Sequence, residues 1–282
     1  MISPEEARFI RRRAYVPEHA VGMMSLISGA EPFLISGYLC FARAPWVIAI
    51  GYPLDAASGP PILEQLVVAL VERFRPERLW CIAPEIPDAL DASATERESD
   101  HFYTLSLDAV GPEAAFPRAP RRAARELTVE QGRTLGPAHS ALIAEFLEQE
   151  KPPPRVSALF RSMVDYVPRS DSAVVLTARG RDGAPMAFYV VELEAESFAT
   201  YVIGCRSRER PVPGASDLLF LEMLALARRH GKRFVHLGLG VNDGIRAFKA
   251  KWGGTPSIPY EFRALRCRAP AMLAWLVARL QR

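Results

Sequence analysis

The sequence lacks the features that mark secreted, membrane-spanning and nucleic-acid-wrapping proteins. Its 282 residues include four cysteines, with no Cys-x-x-Cys pair among them: Cys40, Cys81, Cys205 and Cys267. Such scattered cysteines do not build a disulfide framework. No uncharged apolar run reaches the roughly 18 residues that a membrane helix needs, and no apolar signal segment follows the charged N-terminus. The formal net charge of +3 is too small to indicate a protein that wraps nucleic acid, and it leaves a local basic face open. We therefore expect a reduced, cytoplasmic protein.

Lysine is also scarce. Only four of the 35 basic residues are lysines, and the rest are arginines; the lysines are Lys151, Lys232, Lys249 and Lys251. An ammonium is a compact point charge that a guanidinium does not replace. A lysine retained in so arginine-rich a chain is therefore a candidate for a specific role. The alternative is that three of the four fall close together by chance.

What is present predicts a globular α/β protein of two domains. The composition is 49% hydrophobic and 24% charged, and at roughly 150 residues per domain the length suggests two. The segment 111–125 is rich in proline and arginine, which predicts a linker and a division into residues 1–115 and 116–282. Each side contains a strand, a Pro/Gly loop, a helix and a second strand. Gly59 corresponds to Gly214 and Leu79 to Phe234 at one offset, which indicates a duplicated unit.

The second side has a clear order of elements. Its sequence predicts helices at 137–150 and 155–167, strands at 173–178, 186–192 and 198–205, a helix from 216, a strand at 233–239, a short helix at 242–252 and a strand at 260–265. The helix from Ser216 is apolar on nearly every side, so we expect it to be buried against a sheet. The fold class is then α/β with a mixed, α+β type sheet.

This order, together with the segment HLGLGVNDGIRAFKAKWGG at residues 236–254, resembles the GNAT N-acyltransferases, in particular the FemAB-like, tandem-GNAT branch. That branch includes peptidoglycan aminoacyltransferases and the catalytic domains of phosphatidylglycerol lysyltransferases. The resemblance implies two tandem GNAT-like domains, the second carrying the active site in a cleft between two splayed strands. It implies transfer of an acyl or aminoacyl group, from acyl-CoA or aminoacyl-tRNA, to a small-molecule, peptide or lipid acceptor.

The resemblance also places Lys249 at the donor and reaction site, beside an apolar helix face formed by Ile245, Phe248 and Trp252. Tyr201 and Glu192 are the other catalytic candidates, as acid or base. The residues predicted to bind the donor are Arg206, Arg208, Gly214, Ser216 as a helix N-cap, Gly238, Gly240, Asn242 as a second N-cap, and Lys251. The alternative for these residues is an ordinary loop with helix caps and a solvated arginine rim.

The predicted donor loop departs from the GNAT pattern. No register of residues 206–216 fits the coenzyme A signature R/Q-x-x-G-x-G/A, and Pro211 and Pro213 lack the N–H groups that a pyrophosphate would accept from. This departure favours aminoacyl-tRNA, and hence tRNA as a partner, over coenzyme A. The corresponding loop of the first side, residues 54–61, has no basic residue, which argues against a phosphate site there.

Other interpretations remain. The missing signature leaves open a degenerate GNAT scaffold with a binding or regulatory role. Gly238, Gly240 and Gly244 mimic a nucleotide-binding loop, but one that opens no β-α-β unit. The five histidines show no metal-ligand spacing, so no metal is expected, and His236 is interpreted as a core histidine. The basic and apolar segment 268–282 suits either peripheral membrane contact or packing on its own domain.

Overall fold

A computed structural model of the chain describes residues 2–55, 63–91, 94–110, 118–267, 275 and 278. The helices are α1 (Pro4–Arg13), α2 (Val21–Ser28), α3 (Leu63–Phe74), α4 (Asp88–Asp91), α5 (Arg118–Ala123), α6 (Pro137–Glu150), α7 (Pro154–Tyr166), α8 (Ala215–Arg229) and α9 (Asp243–Lys251). The strands are β1 (Glu31–Ile35), β2 (Tyr38–Arg43), β3 (Trp46–Ile50), β4 (Arg78–Ala83), β5 (Ala94–Ser106), β6 (Thr128–Gly132), β7 (Ala173–Arg179), β8 (Pro185–Glu192), β9 (Phe198–Arg206), β10 (Phe234–Leu239) and β11 (Thr255–Arg266).

The chain divides into two compact units that alternate along the sequence. Unit 1 contains residues 1–103, 239–248 and 255–282, and unit 2 contains residues 104–238 and 249–254. The domain boundary predicted between residues 115 and 116 lies outside the described residues, and it stays a prediction.

Unit 1 is a mixed sheet with apolar side chains on both faces. Its strand order is β1-β2-β3-β4-β11-β5, with β3 parallel to β4 and β11 antiparallel to β4. Alternate residues of β2 and β3 enter two different clusters because side chains alternate across a strand. Cys40 and Ala49 pack in the cluster that contains α3, whereas Phe41 and Ile48 pack in the cluster that contains Ile10 of α1.

Unit 2 is built on an antiparallel meander. Strands β6 to β9 pair in chain order, and α8 leads from β9 to the parallel strand β10. Strands β7, β8 and β9 and helix α8 lie within one or two residues of their predicted bounds, whereas β6 was not predicted. As predicted, α8 is buried on most of its surface, including Leu219, Phe220, Met223 and Leu224, and it packs on β7, β8 and β9.

The structure changes some of the sequence interpretations and adds features that they did not include. The predicted linker 111–125 contains a helix, because residues 118–123 form α5, which packs on α8 with Ala123 fully buried; residues 111–117 lie outside the described part. The long strand β5 has a polar first half that the sequence analysis did not identify. The cysteines are all buried and free. In the described ranges, no helix combines the length and the hydropathy that membrane crossing requires.

Candidate functional site

The main irregularity of unit 2 is that β9 and β10 pair over only part of their length. Their parallel register runs through three residue pairs, from Phe198↔Phe234 to Thr200↔His236. Both strands continue, β9 as far as Arg206 and β10 as far as Leu239, and these fully described continuations are not paired with each other. Backbone N–H and C=O groups along this edge of β9 are therefore available to a bound molecule.

A bulge in β9 coincides with this separation. Val190 of β8 pairs with Ile203, whereas Val191 pairs with Tyr201, so Val202 has no counterpart on β8. Such a bulge bends a strand and changes the direction of its side chains. Gly204 makes the local packing possible, because a Cβ at this position would lie within 2.7 Å of the ring of Tyr189. The sequence therefore bends β9 at the point where it leaves β10.

Tyr201, predicted to be catalytic, packs against a second tyrosine at this bend. The rings of Tyr189 and Tyr201 form an edge-to-face pair with centroids 4.8 Å apart. The Tyr189 hydroxyl donates to the carbonyl oxygen of Ser216 in α8 at 2.9 Å. Burial raises the pKa of both phenols, and their proximity raises the pKa of Tyr201 further. Both are neutral hydroxyl groups at physiological pH, able to donate a proton or a hydrogen bond. Sequence reasoning missed Tyr189 because it resembles any core tyrosine of a strand.

Lys249 is buried. It lies in the last turn of α9 with an exposed fraction of 5%, although its predicted place was only the edge of an apolar face. His236 of β10 is fully buried, in agreement with the core interpretation, and its pKa is lowered to about 3, mainly by burial and further by the charge of Lys249. His236 is therefore neutral, and Lys249 acts as a buried cation near the end of the β9–β10 pairing.

A buried carboxylate binds the residues that follow Lys249. Asp217, in the first turn of α8, accepts hydrogen bonds from Lys251 Nζ at 2.6 Å and from Trp252 Nε1 at 3.1 Å. The Trp252 ring stacks on Phe220 with centroids 5.0 Å apart. Lys251, predicted to bind the donor, thus forms an ion pair with Asp217. The sequence analysis missed Asp217, for which the available signal was an acidic residue at the start of a mostly apolar helix.

Glu192, the third catalytic candidate, lies in different surroundings. It is 2% exposed, and its carboxylate accepts hydrogen bonds from the Tyr166 hydroxyl and from the amides of Leu193 and Glu194. Burial raises its pKa to about 7. Glu192 pairs in register with Thr200, and the next residue, Tyr201, points to the opposite face of a strand. The structure therefore does not bring Glu192 and Tyr201 together.

The start of α8 differs from its predicted form. The N-cap is Gly214, in a left-handed conformation with φ of 86°, and no side chain caps the helix. The prediction of Ser216 as N-cap is wrong, because Ser216 lies within the first turn. A Cβ on Gly214 would collide with the carbonyl oxygen of Ala119 in α5. Glycine is thus required here for the close approach of two backbone segments.

Arg206, the last residue of β9, is exposed, whereas the two arginines that follow the strand are held by acidic side chains. The guanidinium of Arg208 forms an ion pair with Glu150 of α6. The guanidinium of Arg210 forms one with Asp182 at 2.7 Å. These contacts favour the interpretation of Arg208 and Arg210 as a solvated rim.

The end of β10 and the residues that follow it form a tight turn. Gly238 has a φ of 70°, and a Cβ there would meet only Tyr201, with its carbonyl oxygen at 3.9 Å. Val241 has a φ of 59°, and Asn242 N donates to Gly240 O at 2.7 Å, which closes a γ-turn around Val241. Val241 N also donates to Asp100 Oδ2 at 2.8 Å.

Helix α9 starts from this turn. Asn242 Oδ1 accepts a hydrogen bond from Ile245 N at 2.9 Å, which confirms Asn242 as the N-cap. Ile245 itself is 37% exposed, so its predicted place on a buried face is wrong. The helix is too short to bury a full apolar stripe before its last turn, where Lys249 and Trp252 become buried.

Other predictions fall outside these regions. In the part of the chain that the structure describes, no cluster of three or more His, Cys, Asp or Glu side chains is arranged to hold a metal ion. Of the first loop, residues 56–61 are not described, and of the segment 268–282 only residues 275 and 278 are. Trp275 packs against the cluster of unit 1 that contains α3.

Solved structures of several proteins share this architecture at low sequence identity. The C-terminal domain of a protein assigned as lysylphosphatidylglycerol synthetase, from Agrobacterium fabrum, is 19% identical over 98% of this chain and 95% of that chain, with a TM-score of 0.59. A tandem GNAT protein from the clavulanic acid biosynthesis pathway is 17% identical over 93% and 94%, with a TM-score of 0.56. FemX is 13% identical over 93% and 96%, with a TM-score of 0.62.

The chain has the GNAT fold. The predicted mixed-sheet α/β fold of the tandem GNAT type is confirmed by these similarities. No protein-family model and no curated protein matches the sequence. At these identities the likeness establishes the GNAT fold alone. An activity depends on the opening between β9 and β10 and on the residues around it.

Proposed function

We propose that this chain is an acyl- or aminoacyltransferase whose reaction takes place where β9 separates from β10. The observation that supports it most is the end of strand pairing after Thr200↔His236. An acyl carbonyl in this opening would accept hydrogen bonds from unpaired backbone N–H groups of β9. Such donors, fixed before the reaction, stabilise the negative charge that develops on the carbonyl oxygen.

Lys249 adds a fixed positive charge to this site. Its burial excludes most of the water that would screen the charge, so its effect on an oxyanion or on a donor phosphate is large. Only a lysine that is held in place serves this role, because reorientation during the reaction would cost free energy.

The reaction balances without a redox cofactor. The acceptor nitrogen, or a lipid hydroxyl oxygen, forms a bond to the acyl carbon, and the bond from that carbon to the donor sulfur or oxygen breaks. The proton lost by the acceptor balances the one gained by the leaving group. We assign Tyr201 as the acid for the leaving group, because burial keeps its phenol protonated. Glu192 is left out of this step, since its carboxylate is occupied by Tyr166 and two amides.

The geometry at α8 favours aminoacyl-tRNA over coenzyme A as the donor. In addition to Pro211 and Pro213, which offer no N–H groups, the carbonyl oxygen of Ala119 lies against Gly214 at the start of α8. A pyrophosphate bound there would meet the negative end of a carbonyl dipole. The acceptor stays defined only as an amine or hydroxyl on a small molecule, a peptide or a lipid.

The test is transfer from labelled aminoacyl-tRNA and from acetyl-CoA to a panel of amine and lipid acceptors, with Lys249→Met and Lys151→Met compared. Methionine fills the volume of a buried lysine without its charge, and Lys151 is an exposed control. We expect Lys249→Met to reduce transfer at least about 100-fold while the midpoint of thermal unfolding does not fall. Unchanged transfer by Lys249→Met would refute the proposal. Binding of tRNA without transfer to any acceptor would instead support the binding-protein alternative.

A further inference from the structure

The contact between Asp217 and the end of α9 has a consequence for Lys249. Asp217 is 8% exposed, and a buried carboxylate is tolerated only when it is paired and hydrogen-bonded. One oxygen of Asp217 accepts two hydrogen bonds, one from Lys251 and one from Trp252. The two donors belong to consecutive residues, so the carboxylate holds the chain that follows α9 in one orientation relative to α8.

The same short segment carries Lys249. Lys249 O accepts hydrogen bonds from Trp252 N at 3.1 Å and from Gly254 N at 2.9 Å. Gly254 is closely seated as well, since a Cβ there would lie 2.7 Å from Leu237 Cδ1. The backbone of residues 249–254 is therefore one connected turn, and Asp217 attaches this turn to α8 through Lys251 and Trp252.

A buried ammonium needs such an attachment. A lysine side chain is long and flexible, and its charged end gains free energy by reaching water. If the turn were free to rotate, Lys249 would move toward solvent. We propose that Asp217 is a positioning residue, which anchors the turn after α9 through Lys251 and Trp252 and thereby keeps Lys249 buried at the β9–β10 opening. This proposal rests on the proposed function for its catalytic meaning, but not for its structural claim.

A purely local role for Asp217 predicts a different outcome. An acidic residue in the first turn of a helix interacts favourably with the helix dipole. If that were its whole role, removal would lower stability slightly and leave Lys249 where it is. The position of Lys249 therefore separates the two explanations.

The scarcity of lysine makes this position measurable. With only four lysines in the chain, an amine-reactive acetylating reagent and mass spectrometry follow each one separately in the full-length protein. Lys151 is exposed and serves as the internal reference. We expect Lys249 to be protected in the unsubstituted protein. In Asp217→Ala its labelling rate should rise at least about tenfold toward that of Lys151, because the turn opens locally.

Graded variants make the result specific. Asp217→Asn keeps an acceptor for Trp252 and should expose Lys249 less than Asp217→Ala does. Lys251→Met removes the ion pair at a side chain that is 40% exposed, so it serves if Asp217→Ala does not fold, and it too should raise the labelling of Lys249. Asp243→Asn, at a fully exposed carboxylate in the first turn of α9, is the matched control and should change nothing. Continued protection of Lys249 in folded Asp217→Ala or Lys251→Met overturns the proposal.

Kinetics then separate this proposal from the proposed function. If both hold, Asp217→Asn lowers kcat with little change in KM for the acceptor, and Lys251→Met does the same. If Lys249→Met retains activity while Asp217→Ala exposes Lys249 to the reagent, the anchoring role stands and the catalytic role of Lys249 fails. The reverse pattern, loss of activity in Lys249→Met with Lys249 still protected in Asp217→Ala, refutes anchoring alone.

Discussion

The two strand-helix-strand modules of this chain end differently. In β3-α3-β4 the parallel strands pair along the whole of β3, from Trp46↔Arg78 to Ile50↔Ile82, and Gly51 N extends the pairing by donating to Ile82 O at 2.7 Å. In β9-α8-β10 the pairing stops after three pairs, although β9 has nine residues. One module is closed at the carboxyl ends of its strands, and the other is open.

The buried charges follow the same division. In the described part of the chain, the buried acidic and lysine side chains are Glu192, Asp217 and Lys249, all of which belong to unit 2. The buried ionisable side chains of unit 1 are neutral, as with His19, whose pKa is lowered to about 4 by burial. The strand-helix-strand arrangement is therefore present in both units, whereas the opening is observed in unit 2. Among the described residues, the free-energy cost of buried charge falls on the open module, which is the expected signature of a site.

The largest expected effect comes from substituting the glycines at the two strand ends. Gly51→Ala should lower the free energy of unfolding by about 3 kcal/mol, because the new Cβ would lie 2.6 Å from Ala83 Cβ in the closed module. Gly238→Ala should cost only about 1 kcal/mol, the cost of its positive φ, since its surroundings are open. Urea unfolding of both variants measures the difference. Equal losses would contradict the contrast between a closed and an open module.

The buried carboxyl of the open module predicts a pH dependence. The pKa of Glu192 is raised from 4.5 to about 7, so its contribution to stability is full below pH 4.5 and is lost as the pH rises to about 7. The free energy of unfolding should fall by about 2–3 kcal/mol over this pH range. Glu192→Gln should abolish this pH dependence. His236, with its lowered pKa, makes the protein more stable as the pH rises toward 6.5. The quantity to measure is therefore the difference in free energy of unfolding between the variant and the unsubstituted protein at each pH. Glu148→Gln, at an exposed site of α6, is the control and should leave the profile unchanged.

The start of α8 allows a smaller, paired comparison. Gly214 and Gly183 both have positive φ, at 86° and 80°, but a Cβ would collide with Ala119 O at Gly214 and would meet nothing within 4 Å at Gly183. Gly214→Ala should therefore cost about 2 kcal/mol more than Gly183→Ala. Calorimetric unfolding of the two variants measures this difference in stability. If Gly214→Ala lowers the stability no more than Gly183→Ala does, the close contact between α5 and the start of α8 does not restrict position 214.

The smallest expected effect concerns the turn that follows β10. Val241 has a positive φ and is 63% exposed, whereas residues 84–87, which directly follow β4, include no positive φ. Because a β-branched residue is strained in this region, Val241→Gly should stabilise the protein by about 0.5–1 kcal/mol, after allowance for the entropy that glycine gains on unfolding. The midpoint of urea unfolding should rise. A lower midpoint would mean that the valine side chain has a stabilising contact.

Much of the open module was predictable because its elements have strong periodic patterns. The alternating or continuous apolar runs of β7, β8 and β9 and the apolar surface of α8 gave bounds within two residues of those observed. Strand β5 was not predictable in this way. Its first half alternates half-buried carboxylates such as Glu96 and Glu98 with exposed residues, so it lacks the apolar period of a strand.

The position of Lys249 shows the same limit at the site. A helical wheel places it at the edge of an apolar face, but its burial accompanies the contact of Lys251 and Trp252 with Asp217, 34 and 35 residues away in sequence. The identity of the N-cap at α8 was likewise decided by a distant group, the carbonyl oxygen of Ala119. Local patterns located the elements, and long-range packing decided which side chains became buried.

The pairing of β11 with β4 affects how the protein is made. Glu261 of β11 is opposite Ala83 of β4, and the two strands stay in register to Arg266 and Arg78. During synthesis on the ribosome, β4 therefore emerges long before its neighbour and carries an unpaired edge until β11 has been translated. An exposed strand edge invites pairing with other chains. A nascent chain interrupted after the first hundred residues should accordingly be prone to aggregation and dependent on chaperones.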